Sequence, residues 1–278
     1  MTGALEYAAD MEMPRMLHIH LVRSKEVHAE ILKIDYEKAL EMPGVETVIT
    51  SEDVPGEDRF GVYYHDQPVL AKGKIRFYGE PVVAIVAETL EDAEEAEKGV
   101  EITYKKLPVV SNIQEAIECK AVLHEDHPDN IVSTTCVQKG NVEEGFKSSE
   151  IIIEKDFSTQ AVDHAYLETE AGISYCDPDG TIVVKSCDQD ITHHRVLLAK
   201  ILGMPINKVR VIMSPVGGGF GGKEDMIYQA ILAIATLKTN QPVKLVFSRE
   251  DSMIGSCKRH PVTMHYKIGL KSDGKIQR

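Results

Sequence analysis

Hydrophobic positions along this chain fall into short alternating runs of strand length, with a few denser stretches at helical spacing. From Met16 to Arg23, Leu17, Ile19 and Leu21 alternate with His18 and His20, which predicts a half-buried strand. His28–Ile34 and Val45–Thr50 predict two more, with Asp35 capping a short helix that ends before Pro43-Gly44. Pro81–Ala87 differs, because its unbroken apolar run predicts a strand covered on both faces. Thr89-Leu90-Glu91-Asp92 then opens a helix with a cap-like pattern and acids where the helix dipole favours them. Val100–Lys106 alternates as a further strand. The polar Gly-, Pro- and Asp-rich stretch 51–74 is expected to be a surface loop.

Periodicity lapses after residue 110 and resumes at Glu150, so residues 111–149 read as a connector. Glu150–Phe157 predicts a strand. Ile173–Tyr175 and Thr181–Lys185 flank Asp177-Pro178-Asp179-Gly180, a hairpin signal. Asp190 is the expected cap of a helix carrying Ile191, Val196, Leu197, Leu198, Ile201 and Leu202, closed by Gly203 and Pro205. The strand Val209–Val216, a glycine-rich loop, a helix from near Lys223 to about Leu237 and a buried strand Val243–Phe247 follow. Thr263 to Leu270 alternates, Asp273-Gly274 predicts a turn, and Lys275-Ile276-Gln277-Arg278 a return strand cut short. The expectation is a fragment or one piece of a divided subunit, of α+β class. It comprises a small domain over 1–110, the connector 111–149, and an incomplete mixed α/β domain over 150–278.

Composition narrows the partners. With 31 Lys+Arg against 44 Asp+Glu the net charge is −13, which disfavours nonspecific contact with nucleic acid phosphates. No apolar run is long enough for a bilayer, and no basic-then-apolar leader opens the chain, so a cytoplasmic protein without a membrane partner is expected. Cys119, Cys136, Cys176, Cys187 and Cys257 form no C-x-x-C pair and suggest reduced thiols rather than a cluster or zinc site. The pairs His18/His20, His124/His127 and His193/His194 each lack a third ligand or a shared face, and so predict no metal.

The chemistry concentrates in Gly217-Gly218-Gly219-Phe220-Gly221-Gly222-Lys223-Glu224-Asp225. Its glycines expose backbone amides, and a strand–loop–helix junction would favour an anion. Several loops share that logic. Gly217, Gly219 and Gly222 satisfy the dinucleotide pattern G-x-G-x-x-G, yet the acid at Glu250 lies 28 residues beyond Gly222 rather than about 20. Gly217 to Lys223 also satisfies G-x-x-x-x-G-K, but Glu224 stands where a phosphate-binding loop needs Ser or Thr. A ligand-free glycine turn is the remaining alternative.

In full, Gly217 to Glu224 resembles the molybdenum-site loop of the xanthine dehydrogenase/aldehyde oxidase family of molybdenum hydroxylases. Thr2-Gly3-Ala4, Tyr7-Ala8-Ala9-Asp10, Met42-Pro43-Gly44-Val45 and Tyr78-Gly79-Glu80-Pro81-Val82 resemble that family's hammerhead domain. Asp163-His164-Ala165-Tyr166-Leu167-Glu168, Arg249-Glu250-Asp251-Ser252-Met253 and Arg259-His260-Pro261 resemble the start of its molybdopterin-binding domain.

The resemblance implies hydroxylation of a carbon with water as the oxygen source. The cofactor would be molybdenum–molybdopterin, with the pterin nucleotide left open and the cytosine dinucleotide among its forms. It implies that Gly218, Gly219, Phe220 and Gly221 line the cofactor. Phe220 and Gln189, 31 residues earlier, would contact the molybdenum ligands. Asp188 departs from the family, which often has Thr there. Glu224 occupies the place of a substrate-binding glutamate in purine-hydroxylating members, which tilts the substrate toward a purine or related N-heterocycle. A simple cap is the other role open to Glu224. The implied partners are the remaining molybdenum-domain chain, a [2Fe–2S] subunit and an FAD subunit, and the isolated chain is expected to be inactive. A non-catalytic scaffold relative and a nucleotide-binding domain are the alternatives.

Overall fold

The computed structural model describes residues 3–276, so Thr2 of the opening motif and Gln277-Arg278 of the expected return strand lie outside it. The organising element is a seven-stranded mixed sheet. Its order is Val209–Met213, Ile182–Ser186, Ala171–Cys176, Val243–Val246, Leu17–Arg23, Pro81–Ala87, Val45–Ile49. The sheet is continuous across early and late parts of the chain. Leu17–Arg23 pairs in parallel with Val243–Val246 on one side and antiparallel with Pro81–Ala87 on the other.

The unbroken apolar run of Pro81–Ala87 is explained by its place between two cores. Ala84 and Val86 pack with Ile19, Leu198, Ile231 and Leu245 beneath the helices Ile191–Ile201 and Gln229–Thr239. Val83, Ile85 and Ala87 face a second core, built with Ala29, Ile75 and Ala93. The helix Leu90–Ala96 and the small sheet of Lys74–Ile75, Ala29–Asp35 and Glu101–Lys106 enclose it. All seven residues of the strand are buried, as a strand with apolar cover on both faces requires. Gln229–Thr239 is apolar around its whole circumference and buried from Gln229 to Thr236, a core helix rather than an amphipathic one. Asn240 ends it in the left-handed conformation (φ +54°).

Three expectations need correction. The helix after the glycine loop begins at Gln229, not near Lys223, so its N-terminus does not face the loop. Asp35 is not the cap: Tyr36 holds that position, while Asp35 accepts from Lys33 Nζ at 2.7 Å and from the Glu37 amide at 3.4 Å. The stretch 51–74 is not simply a surface loop. It buries Phe60, Val69, Leu70 and Ala71, and the Glu57 amide donates to the Lys200 carbonyl at the end of Ile191–Ile201. Sparse apolar residues among turn-formers hid that anchoring.

The hairpin at Asp177–Gly180 forms as expected, with Gly180 at φ +80°. Thr89 and Asp190 both cap their helices, accepting from the amides of Asp92 and His193. The turn at Asp273-Gly274 also forms, followed by a bridge from Leu270 to Ile276. Ile151–Thr159 and Val262–Leu270 make a separate two-stranded ribbon.

Candidate functional site

The glycine loop leaves the edge strand Val209–Met213 and is closed on itself by side chains from elsewhere. Glu168 Oε2 accepts from the Gly217 amide at 2.7 Å and from Lys223 Nζ at 3.0 Å, joining the two ends of the loop. Lys223 is buried, and its ammonium also lies 4.6 Å from the centre of the Tyr166 ring. Gln189 binds the exit of the loop twice: its amide donates to the Lys223 carbonyl (3.0 Å), and its Oε1 accepts from the Lys223 amide (3.1 Å). The loop is therefore held from outside; at its crest Phe220 is exposed and Gly221 half-buried, while Gly219 and Gly222 are buried.

At the crest, Gly219, Phe220, Gly221 and Gly222 form a turn closed by the Gly222 amide on the Gly219 carbonyl (2.8 Å). Both central residues have positive φ, Phe220 at +53° and Gly221 at +91°. Glycine adopts this freely, whereas phenylalanine there costs about 1 kcal/mol. Phe220 is nevertheless 76% exposed, so its own burial does not offset the cost. The amides of Gly218, Gly219, Phe220 and Gly221 make no hydrogen bond among the described residues. At Gly219 a Cβ would lie 2.4 Å from Gln189 Oε1, so glycine there permits the close approach of Gln189. Gln189 is exposed, and its side-chain Nε2 has no partner among the described residues.

Phe220 and Gly221 border a cavity of about 580 Å³, with His164, Asp225, Lys258, Arg259, His260 and Val262 among its other walls. Sequence segments far apart in the chain thus meet at one place. Nδ1 of His164 is buried without a partner. Glu224 lies beyond the turn; its side chain is exposed, makes no hydrogen bond among the described residues and is not among the cavity-lining residues. It caps no helix, since the next one starts at Gln229.

Sequence reasoning assigns no site role to Asp188, His194 or Glu168, and reads Lys223 only as a possible phosphate ligand. Asp188 is fully buried and accepts from the Asp190 amide (3.0 Å), Ser186 Oγ (3.3 Å) and the His194 ring (2.7 Å). The departure from Thr therefore supplies the partner of a buried histidine. The one available signal is an acid six residues before a histidine, which is weak without the fold.

The geometry removes both nucleotide readings. Lys223 is tied to Glu168 and is not free for a phosphate. Val243–Val246 runs parallel to Val209–Met213 but two strands intervene, so no dinucleotide-type unit of adjacent strands surrounds the loop. What remains suits an anionic, oxo-bearing pterin cofactor: four unbonded amides, an outward aromatic ring and a free carboxamide donor on one rim.

Residues 2–108 match the aldehyde oxidase and xanthine dehydrogenase a/b hammerhead domain, and residues 123–278 match the molybdopterin cofactor-binding domain. The chain belongs to the xanthine dehydrogenase/aldehyde oxidase family of molybdenum hydroxylases. It is 37% identical to the nicotinate dehydrogenase large molybdopterin subunit of Eubacterium barkeri, over 99% of this chain and 64% of that one. It is also 37% identical to a probable xanthine dehydrogenase component of Bacillus subtilis, spanning 99% of this chain and 37% of the relative. The aldehyde oxidoreductase from Desulfovibrio gigas superposes with a TM-score of 0.94 at 28% identity, over 99% of this chain and 32% of that one. The chain thus spans less than two thirds of each of these relatives.

Proposed function

We propose that this chain provides one wall of the molybdenum site in a multi-component hydroxylase that oxidises a purine or related N-heterocycle. The observation that carries the proposal is the run of amides from Gly218 to Gly221 without a hydrogen-bond partner among the described residues, with Gln189 fixed against Gly219. When bound, molybdenum–molybdopterin supplies the two-electron oxidation of a substrate carbon, with water as the oxygen source. The amides of Gly218, Gly219, Phe220 and Gly221 would face its oxo and phosphate oxygens without side chains in the way. Gln189 would donate its free amide hydrogens to an oxo ligand, and Phe220 would shield that rim from water. Glu224 would hydrogen-bond the heterocycle and stabilise charge developing on it during attack. Support for the substrate class comes from the carboxylate at Glu224 and from relatives bearing the names nicotinate and xanthine dehydrogenase.

Electrons would pass to [2Fe–2S] and FAD groups on partner subunits, and the rest of the molybdenum domain would come from further polypeptide. The ribbon supports that partner. Its register puts Ile151, Ile153, Phe157, Tyr266 and Val262 on one face and Glu154, Asp156, His265 and Lys267 on the other. Those five are each more than a third exposed, on a face they share with Lys155, Thr159, Met264, Ile268 and Leu270, and Val262 also borders the cavity beside Phe220. A polypeptide laid on this face would at once cover apolar surface and close the site. We assign the chain's parts as a hammerhead domain over 1–110, a connector, and the molybdopterin-binding part over 150–278. We place it in the cytoplasm: the cysteines among the described residues are unpaired thiols, and no helix there is long and apolar enough to cross a membrane.

The test is reconstitution. Co-expressed with its partners, the chain should carry stoichiometric molybdenum and turn over hypoxanthine or nicotinate. Glu224→Ala should lower kcat/KM for the heterocycle by about 100-fold, on the scale of one lost electrostatic contact to the transition state, while molybdenum content stays unchanged. Stoichiometric molybdenum and turnover by the isolated chain would refute the requirement for partners. Absence of molybdenum from the full complex would favour a scaffold role instead.

A further inference from the structure

His194 is the fourth residue of Ile191–Ile201 and is 1% exposed. Its Nδ1 is 2.7 Å from Asp188 Oδ2, and its Nε2 is 2.7 Å from the Glu224 carbonyl oxygen. A carbonyl can only accept. Asp188 Oδ1 accepts from the Asp190 amide and Oδ2 from the Ser186 hydroxyl, so both of its oxygens act as acceptors. Both ring nitrogens therefore donate, and the ring is an imidazolium.

The consequence lies in what the ring connects. Asp188 directly precedes Gln189, and Glu224 directly follows Lys223, the residue that Gln189 binds through two hydrogen bonds. Asp188-Gln189, Lys223-Glu224 and His194 form a closed ring of contacts. Lys223 enters that ring through its backbone alone, since its ammonium is turned away onto Glu168. We infer that His194 is a positioning residue, holding the Gln189 arm and the Glu224 arm of the site at a fixed separation through its two N–H groups. This rests on the molybdenum-site assignment for its functional meaning, but the clamp itself is a property of this chain.

The surrounding charges fit that role. Burial opposes the charged ring, yet Asp188, the Glu224 carbonyl and Asp190 together raise its pKa above the usual histidine range. Arg195 on the same helix is turned away onto the carbonyls of Val209 and Ile206. The neighbouring helix presents the neutral Gln229, 3.5 Å from Asp188. No other cation among these side chains is bonded to Asp188 in place of the imidazolium. A neutral imidazole has one N–H and must release one arm.

Hydrogen exchange on the assembled complex tests this. In His194→Gln and Asp188→Asn, which keep the side-chain volume, the bonded loop amides of Gly217, Gly222, Lys223 and Glu224 should exchange about tenfold faster, the scale of one lost charge-assisted hydrogen bond. Strands of the seven-stranded sheet should be unchanged, and KM should rise by about tenfold with a smaller change in kcat. The unmodified chain should show the same selective loosening as pH rises above the usual histidine range, after correction for intrinsic rates, as a raised histidine pKa requires. That arm keeps the test alive if either variant folds poorly. Unchanged loop exchange throughout, or equal acceleration in the sheet, overturns the proposal. A loosened loop in a complex without molybdenum would sink the functional assignment and leave the clamp standing. Normal molybdenum and turnover with a rigid loop in both variants would remove the clamp alone.

Discussion

Lys223 and Glu168 show how the loop is made rigid by one buried pair. Their side chains are 2% and 11% exposed, and Glu168 Oε1 is buried with no partner. Removing only the cation leaves a desolvated carboxylate with the Gly217 amide as its remaining donor, which is the costly way to break such a pair. Lys223→Met should destabilise the chain by about 3–5 kcal/mol, and adding Glu168→Gln should recover a large share. Urea unfolding of the single and double variants measures both; equal midpoints for Lys223→Met and the native chain would show the pair to be dispensable. In sequence, Lys223 stands out only as a possible phosphate ligand. A lysine beside glycines looks the same whether its ammonium is exposed or turned inward onto Glu168, 55 residues earlier.

Among the elements, Pro81–Ala87 is entered through a turn held by a carboxyl group. Glu80 is 1% exposed; its Oε2 accepts from the Arg76 amide at 2.7 Å, and Oε1 has no partner. Burial pushes this carboxyl up to about 7, only partly offset by the Arg76 amide and charge. The unfolded chain ionises near about 4.3, so the folded state holds the extra proton between those values. That stability is present in full below the unfolded pKa and is lost as pH rises through about 7. In Glu80→Gln this contribution disappears, and stability relative to the native chain should rise by about 3 kcal/mol between pH 4 and pH 8. Denaturant midpoints across that range decide it; parallel curves for the two proteins would show that Glu80 does not titrate as described. The strand itself is evident from its apolar run. Its entry is not, because Glu80 looks like any acid in a turn until the fold buries it.

At the scale of the molecule, one sheet joins residues as distant as Leu17 and Val243, while the ribbon stands apart with an apolar face uncovered. Phe157 is 52% exposed and Ile153 44%, so Phe157→Glu and Ile153→Lys should shift the chain's own stability by less than about 1 kcal/mol. The same substitutions should abolish co-purification with the remaining molybdenum-domain polypeptide. Retained association, followed by size-exclusion chromatography of the co-expressed proteins, would mean that the face is not the contact.

Local pattern determined a good deal: the strand periods, the caps at Thr89 and Asp190, the hairpin at Asp177–Gly180, and a glycine crest next to Phe220. These follow from backbone conformation and from side-chain alternation, which neighbours in sequence control. The tertiary structure decided what the loop is. It removed the helix start from Lys223, turned that lysine inward onto Glu168, and set Gln189 against Gly219. It also made Asp188 and His194 a buried pair fastened to Glu224. Each of those outcomes depends on desolvation and on partners from other elements, and no run of neighbouring residues carries that information.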